Sequence, residues 1–317
     1  MTRVPTENPL LRLLEKRLSR AHLHQRLGIE REHEQQVFGQ GRSLFHIENW
    51  YSIHAVIRGV LKLTLMHDRG RRNALELSVT RNEFRIPDLP RAFDGLTIAQ
   101  ISDLHLDMNA DIPRVLKETL MQVDYDLCVI TGDFRAKTFG PYDKALEAMR
   151  GVRGCIEGDV FGILGNHDSI EMVPALEGMG IRMLMNESVA LERDGQRIHI
   201  AGIDDPHYYK ADNIHQAAGD IPVDEVSLLL AHSPEAYKIA AHVGFDAFLC
   251  GHTHGGQICL PGGVALMKNA KCPRRYCNGA WSYHGMQGYT SRGSGVSVVD
   301  VRFNCPPELT LHTLRRA

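Results

Sequence analysis

The sequence predicts an α/β fold carrying a helical N-terminal extension, and two patterns point to it. From Leu75 onward, short apolar runs of strand length alternate with stretches of helical periodicity, as when strands and helices share one sheet system. Before that point, apolar residues recur at helical spacing. The chain has 317 residues, 43% hydrophobic and 23% charged. That ordinary globular composition excludes a disordered chain and a coiled-coil rod, and it allows one large domain with a smaller addition.

In the extension, Asn8 followed by Pro9 supplies an N-cap and a first-turn residue. Leu10, Leu11, Leu14, Leu18 and Ala21 then fall on one helical face, with Arg12, Lys16 and Arg20 opposite. A second amphipathic stretch runs from Trp50 to Met66. Ile53, Val56, Ile57, Val60 and Leu61 share its face, and Arg58 and Lys62 stand across from them. It is too short and too charged to span a bilayer. Gly39-Gln40-Gly41 separates the two helices. Apolar faces of this kind need cover. Either they pack on the following domain as a cap, or they also lie on a membrane surface with the basic residues toward anionic headgroups. His22, His24, His33 and His46 have no partner at ligand spacing and are expected in solvent.

Beyond Leu75 the runs that read as strands are Leu96–Ile101, Leu127–Ile130, Val160–Leu164, Ile181–Leu184, Ile198–Ile203, Ser227–Leu230, Ala247–Leu249, Val296–Val301 and Leu309–Leu314. Helical patterns cover Ile112–Val123, Lys144–Arg150, Ile170–Gly178 and Pro234–Val243. The last strand runs arrive without helices between them, so part of the sheet is expected to be antiparallel.

Polar, metal-capable residues follow five of these runs. They are Asp103 and His105, then Asp133, then Asn166-His167-Asp168, then His232, then His252 and His254. In α/β sheets the carboxyl ends of strands line the ligand crevice, so groups far apart in sequence can converge there. Gly132, Gly165 and Gly251 beside them permit sharp turns and close backbone approach. Carboxylate, imidazole and amide oxygen suit Mn, Fe, Zn or Mg better than a soft-metal thiolate site. Two carboxylates, one amide and four imidazoles exceed what a single ion needs, and suit two ions sharing a bridging carboxylate. Each piece alone reads as a turn or a satisfied structural histidine; the repeated strand-end placement argues for metal.

Asp103-Leu104-His105, Gly132-Asp133, Gly165-Asn166-His167-Asp168, His232 and Gly251-His252-Thr253-His254 together resemble the calcineurin-like metallophosphoesterase superfamily. Its pattern runs D-x-H, G-D-x-x-D/N, G-N-H-D/E, a lone H and G-H-x-H. The resemblance covers roughly residues 86–316. The stretches GHTHGGQICLPGG and SRGSGVSVVDVRFNCPPELTLHTLR are similar to one bacterial branch, which includes membrane-linked phosphodiesterases and a UDP-2,3-diacylglucosamine pyrophosphatase. The fold implied is an α/β (α+β) four-layer sandwich of two mixed β-sheets flanked by helices. Residues 75–317 would form that catalytic domain and residues 1–74 the helical extension.

The resemblance also implies a ligand set. One divalent ion would take Asp103, His105, Asp133 and His254; the other would take Asp133, Asn166, His232 and His252, with Asp133 bridging. Manganese is favoured among Mn, Fe, Zn and Mg. Two such cations neutralise phosphoryl oxygens and acidify a water for in-line attack. His167 would face the substrate, stabilising developing charge or protonating the leaving oxygen, with Asp168 beside it in the catalytic set. The sequence departs from the pattern at Ala136, where Asp or Asn often stands and can orient the histidine. Asp168 or a backbone carbonyl would have to substitute. Arg135 and Arg292 are candidate phosphate contacts, set against a loop arginine and a turn residue. His207, Tyr208 and Tyr209 are candidates for the substrate side, set against loop packing.

The function so implied is a phosphodiesterase or pyrophosphatase. A phosphomonoesterase or cyclic nucleotide phosphodiesterase is the alternative, and a binding scaffold is disfavoured by the intact site. The substrate would carry a phosphoester, lipid-linked in keeping with the branch, and no nucleic acid is expected. The extension carries a net charge of +6 over residues 1–72 and the remainder −8, and an acidic body lacks the basic groove that a polyanion wants. Seven cysteines form no disulfide framework, and MTRVPTENPLLRLLEKRL lacks a signal peptide's apolar core. The expected place is therefore the cytoplasm, with peripheral contact to the inner membrane through residues 1–74 as the alternative to their packing as a cap.

Overall fold

The computed structural model describes residues 9–39, 51–267 and 269–317. Asn8, Gln40, Gly41, His46 and Trp50 lie outside them, as do the side chains of Leu10, Ile53 and Val56. The expected first helix is two helices. α1 (Pro9–Leu18) and α2 (Arg20–Gly39) are split at Ser19, whose φ of 68° no helix accepts. The break resets the helical phase. Leu11, Leu14 and Leu18 are buried as expected, but Ala21 is exposed and the buried stripe continues through Leu23 and Leu27. α3 (Tyr51–Leu63) and α4 (His67–Ala74) complete the extension. Among the described residues no helix is long and apolar enough to cross a membrane.

The remaining elements are β1 (Ser78–Ile86), β2 (Thr97–Ile101), α5 (Ile112–Leu120), β3 (Leu127–Thr131), α6 (Asp143–Arg153), β4 (Asp159–Ile163) and α7 (Val173–Glu177). There follow β5 (Arg182–Met183), β6 (Glu187–Arg193), β7 (Gln196–Gly202), α8 (Ile214–Ala218), β8 (Ser227–Leu230), α9 (Tyr237–Val243) and β9 (Ala247–Cys250). Last come β10 (Cys259–Leu260), β11 (Val264–Ala265), β12 (Gly279–Tyr283), β13 (Met286–Thr290) and β14 (Glu308–Arg316). Two six-stranded sheets result, ordered β1-β14-β2-β3-β4-β5 and β12-β13-β9-β8-β7-β6. Both are mixed: β14 runs antiparallel to β2, and β12 and β6 run antiparallel to β13 and β7.

Alternation along the strands decides which layer each side chain enters. Ile98, Val129, Leu228, Leu230 and Leu249 point between the sheets and form one core with Phe84 and Tyr289. Ala99, Ile101, Cys128 and Ile130 point the other way, where α5, α6, α7 and the leucines of α1 and α2 cover them. Leu229, Phe248 and Cys250 face the opposite outer layer, under α8, α9, Tyr276 and Cys272. The four layers are helix, sheet, sheet, helix. α1 and α2 therefore cap the first sheet, the simpler of the two fates set out for their apolar faces. α3 is covered less completely: Leu61 is buried against Val299, Val301 and Phe303, while Val60 is 54% exposed.

One expected strand is absent. Val296–Val301 forms an irregular loop, because Val298 takes a φ of 66° that a strand excludes. Its valines pack under α3 instead. The pattern reading passed over β1 and β6, whose apolar residues are interrupted by charged ones, and the β12–β13 hairpin, whose strands carry glycine and polar residues among their aromatics.

Candidate metal centre

The first sheet contributes β2, β3 and β4 to the site, and the second contributes β8 and β9. Each is followed by a loop that turns inward at the carboxyl end. Asp103, His105, Asp133, His252 and His254 all have φ between 41° and 70°. Five left-handed non-glycine residues in strand-end loops are a concentration of backbone strain typical of working sites. Glycines make room for them. A Cβ on Gly165 would stand 2.2 Å from Asp133 Oδ1, and one on Gly251 would stand 1.9 Å from Ser102 Oγ and 2.3 Å from Asp103 Oδ2.

Among the described residues two groups of metal-capable side chains form, Asp103 with His105 and His254, and Asp133 with His232 and His252. In each, the candidate ligand atoms lie within 4.8 Å of one another, and all six residues are buried. Asn166 joins the second group, with Oδ1 2.9 Å from His232 Nε2. Asp133 lies between the groups: Oδ2 is 3.2 Å from His232 Nε2 and 3.7 Å from His105 Nε2. The metal-capable residues that the sequence nominated are thus assembled in one place.

The protonation pattern tests whether cations fit. His105 Nδ1 lies 2.8 Å from the Arg135 carbonyl, and His232 Nδ1 lies 2.8 Å from the Thr131 carbonyl. A carbonyl only accepts, so both Nδ1 atoms carry hydrogen and both Nε2 atoms are turned into the site, where each is the ring atom that could hold an ion. His105 Nε2 meets His254 Nε2 at 3.2 Å, and His232 Nε2 meets Asn166 Oδ1 and Asp133 Oδ2. Imidazole, amide and carboxylate atoms are crowded together here, each of a kind that a divalent cation takes as a ligand. Ligands held at roughly 2.1 Å by one ion stand about 3.0–3.4 Å apart in tetrahedral or octahedral geometry. The observed separations fit such ions.

The same crowding sets the titration behaviour. Burial works against charge on His232, yet Asp133 and Asp103 push its imidazole up to about 10. Burial alone would raise the Asp133 carboxyl, but His232, His167 and His105 hold it well below the usual carboxylate range. Burial lowers His105 to about 4, and burial with His105 and Arg302 nearby lowers His254 well below the imidazole range. Burial and the neighbouring Asp133 charge raise both Asp103 and Asp168.

The other nominated residues sit differently. His167 belongs to neither group. Its peptide N–H donates to Asp133 Oδ1 at 2.9 Å, its Nε2 stands 4.0 Å from Asp133 Oδ2, and its Nδ1 lies 3.1 Å from Thr138 Oγ1. Asp168, expected in the catalytic set, is enclosed by the backbone. Its carboxylate accepts from the amides of Asp133, Phe134 and Gly165 at 2.8–2.9 Å, so it shapes the turn and does not face the reacting position. Arg135, expected at a phosphate, donates instead to the carbonyls of His167, Gly140 and Thr138. Arg292 is likewise engaged, by Glu308 at 2.9 Å through Nε.

The histidines expected in solvent are a second correction. His22 is buried 2.9 Å from Asp204 Oδ2, His24 lies 3.6 Å from Glu15, and the His33 ring stands 4.6 Å from Tyr208 and 5.9 Å from Tyr209. His207 reaches the site, with its ring 4.2 Å from that of His252. Sequence reasoning missed Thr138 and Arg302. Arg302 is fully buried and lies 3.3 Å from His254 Nδ1 while donating to the Arg292 and Gly295 carbonyls. Neither residue belongs to a recognisable spacing.

Beside the metal-capable residues a cleft of about 650 Å³ opens. Asp133, His167, His252 and His254 line one part of it, and Val60, Leu61, Ile258, Leu266, Met267 and Val299 line much of the rest, with Gln257, Asn269 and Ser297 among them.

A family model described as calcineurin-like phosphoesterase matches residues 96–256. YkoQ of Bacillus subtilis, an uncharacterized metallophosphoesterase, is 28% identical over 259 residues, covering 78% of this chain and 93% of its own. YkuE of the same organism, also an uncharacterized metallophosphoesterase, is 28% identical over 256 residues, covering 75% and 86%. The phosphodiesterase YaeI of Escherichia coli is 25% identical over 227 residues, covering 67% and 79%.

Proposed function

The chain belongs to the calcineurin-like phosphoesterase family, and from that premise we propose that it is a dinuclear, manganese-dependent hydrolase of a phosphodiester or pyrophosphate bond. The observation that carries this reading is the convergence of metal-capable side chains around Asp133. Asp103, His105 and His254 would hold one ion, Asn166, His232 and His252 the other, and Asp133 both. Bound cations would supply charge neutralisation at the phosphoryl oxygens and a water acidified enough to attack. The chain's own contribution is orientation. The Arg135 and Thr131 carbonyls fix His105 and His232 with Nε2 facing inward. His167, kept out of both groups, would protonate the leaving oxygen or stabilise charge developing on it. We assign the chemistry to residues 75–317 and treat residues 1–74 as the extension.

The cleft favours a finer reading, that the phosphoester is lipid-linked. Its apolar walls lead away from the site, and Val60, Leu266 and Met267 are each more than half exposed. A molecule with an apolar chain on one side of its phosphate would bury that chain there. We place such an enzyme in the cytoplasm, at the inner membrane surface. Seven free cysteines, with Cys272 Sγ and Cys277 Sγ 3.6 Å apart and unjoined, suit a reducing compartment.

The test is metal analysis and turnover of bis-p-nitrophenyl phosphate on the full chain, stripped by chelation and then reloaded with manganese. Two ions per chain and turnover that returns with them are expected. Turnover that persists in the stripped protein would sink the reading.

A further inference from the structure

α2 places His22, Arg26 and Glu30 four residues apart, so they form one stripe along its inner face. Leu23 and Leu27 already anchor the helix in the core. The polar stripe does something else. Arg26 is fully buried, lying over the Tyr209 ring at 3.3 Å, and its Nη2 donates to the Asp168 carbonyl at 3.1 Å. Its Nε donates to Asp204 Oδ1 at 3.2 Å, and Nη1 stands 2.9 Å from Glu30 Oε1. Glu30 accepts from Ser169 Oγ at 2.6 Å and from the Ile170 amide at 2.8 Å. One helix turn thus grips three consecutive residues, Asp168, Ser169 and Ile170, directly after His167.

The same turn is gripped from inside. The Asp168 carboxylate takes the amides of the Asp133 loop, and Arg135 Nε donates to the His167 carbonyl at 2.5 Å. Asn166 and His167 are held between these two sets of contacts. Burying an arginine and a glutamate carries a desolvation cost that a well-packed apolar pair would avoid, and removing one partner strands the other charge. Such a cluster is justified where geometry must be unique, and the geometry it fixes here is that of the site turn.

We propose that Arg26 and Glu30 are positioning residues that set His167 against the substrate, so that the N-terminal extension is a working part of the active site. The inference rests on the reading of His167 given above. A displacement of about 1 Å in a reacting group can cost 10²-fold in rate, which sets the scale expected.

The experiment is a double-mutant cycle on the full chain, loaded with manganese and assayed on bis-p-nitrophenyl phosphate. Glu30→Ala should lower kcat roughly 10- to 100-fold with KM little changed and bound metal retained. In a His167→Ala background the same change should alter kcat less than about threefold, because its effect passes through His167. An equal fall in both backgrounds, or no fall with His167 present, overturns the proposal. A His167→Ala protein with unchanged kcat overturns the reading of His167 itself, which is a separate result. Should Glu30→Ala not fold, Ser169→Ala removes the same carboxylate contact from the loop side and is read by the same cycle.

Discussion

His167 Nδ1 lies 3.1 Å from the hydroxyl of Thr138, a residue two positions beyond the alanine that stands where relatives can carry an orienting side chain. The loop supplies by a neighbouring side chain what Ala136 lacks. His167 should act on the substrate while holding no metal. His167→Ala should therefore keep two ions and lose roughly 10²–10⁴-fold in kcat, the usual contribution of one acid–base group. Thr138→Val should cost about tenfold, the worth of one positioning hydrogen bond. Metal analysis alongside kinetics checks both, and loss of metal in His167→Ala would mean that the roles of Asn166 and His167 are exchanged.

Asp133 Oδ2 lies within 4 Å of both His105 Nε2 and His232 Nε2. Asp133→Asn should reduce metal content and turnover together. The fall should exceed the roughly 10- to 100-fold that losing an outer hydrogen-bond partner of a metal ligand costs. Inductively coupled plasma analysis and steady-state rates measured on the same preparation make the comparison. Two retained ions with undiminished turnover would refute the bridging role.

The apolar cleft makes a quantitative demand. In a series of alkyl p-nitrophenyl phosphodiesters, kcat/KM should rise by about fourfold per added methylene until the cleft is filled, from ~0.8 kcal/mol per buried CH₂. Val60→Asn should flatten that slope. A flat series in the unaltered protein would leave the hydrolase reading intact and remove the lipid-linked one.

His312 gives a pH prediction away from the metals. It is fully buried, with Nε2 2.9 Å from Gln100 Oε1 and Nδ1 3.1 Å from Asn82 Nδ2, an arrangement that suits the neutral ring. Burial lowers its pKa to about 3. The unfolded chain, near 6.5, takes the proton first. The stability tied to neutral His312 is therefore complete above about pH 6.5 and is lost as pH falls toward 3, by at most roughly 1.4 kcal/mol per pH unit. His312→Gln should narrow the loss of Tm between pH 7 and pH 4. Parallel Tm curves for the two proteins would contradict this.

The centre was legible because its residues follow unambiguous apolar strands. Once β2, β3, β4, β8 and β9 were recognised, Asp103, Asp133, Asn166, His232 and His252 had to stand at the same edge. Residues that act across long sequence distances were not legible. Nothing local to Arg26 marks it as a partner of Asp204 or Asp168, and Thr138 touches His167 only because the loop folds back. Val296–Val301 was misread for the opposite reason: its β-branched residues suit a strand, but the left-handed Val298 forbids one. For Arg135 and Arg292 the sequence offered both a phosphate contact and a loop role, and only the folded contacts with the His167 and Gly140 carbonyls and with Glu308 display the loop role.

The pairing of β1 with β14 has a consequence for how the protein is made. β14 lies between β1 and β2, and its register with β1 joins positions 230 residues apart, as at Asn82 and His312. While the chain is still emerging from a ribosome, β1 and β2 have no common neighbour, and the edge of β2 stays open until residues 308–316 arrive. Contacts of such separation form slowly and late. Nascent chains arrested near residue 300 should be digested rapidly by added protease, and release of the last strand should bring resistance in a single step. Resistance already present at arrest would show that β1 and β2 find a stable arrangement without it.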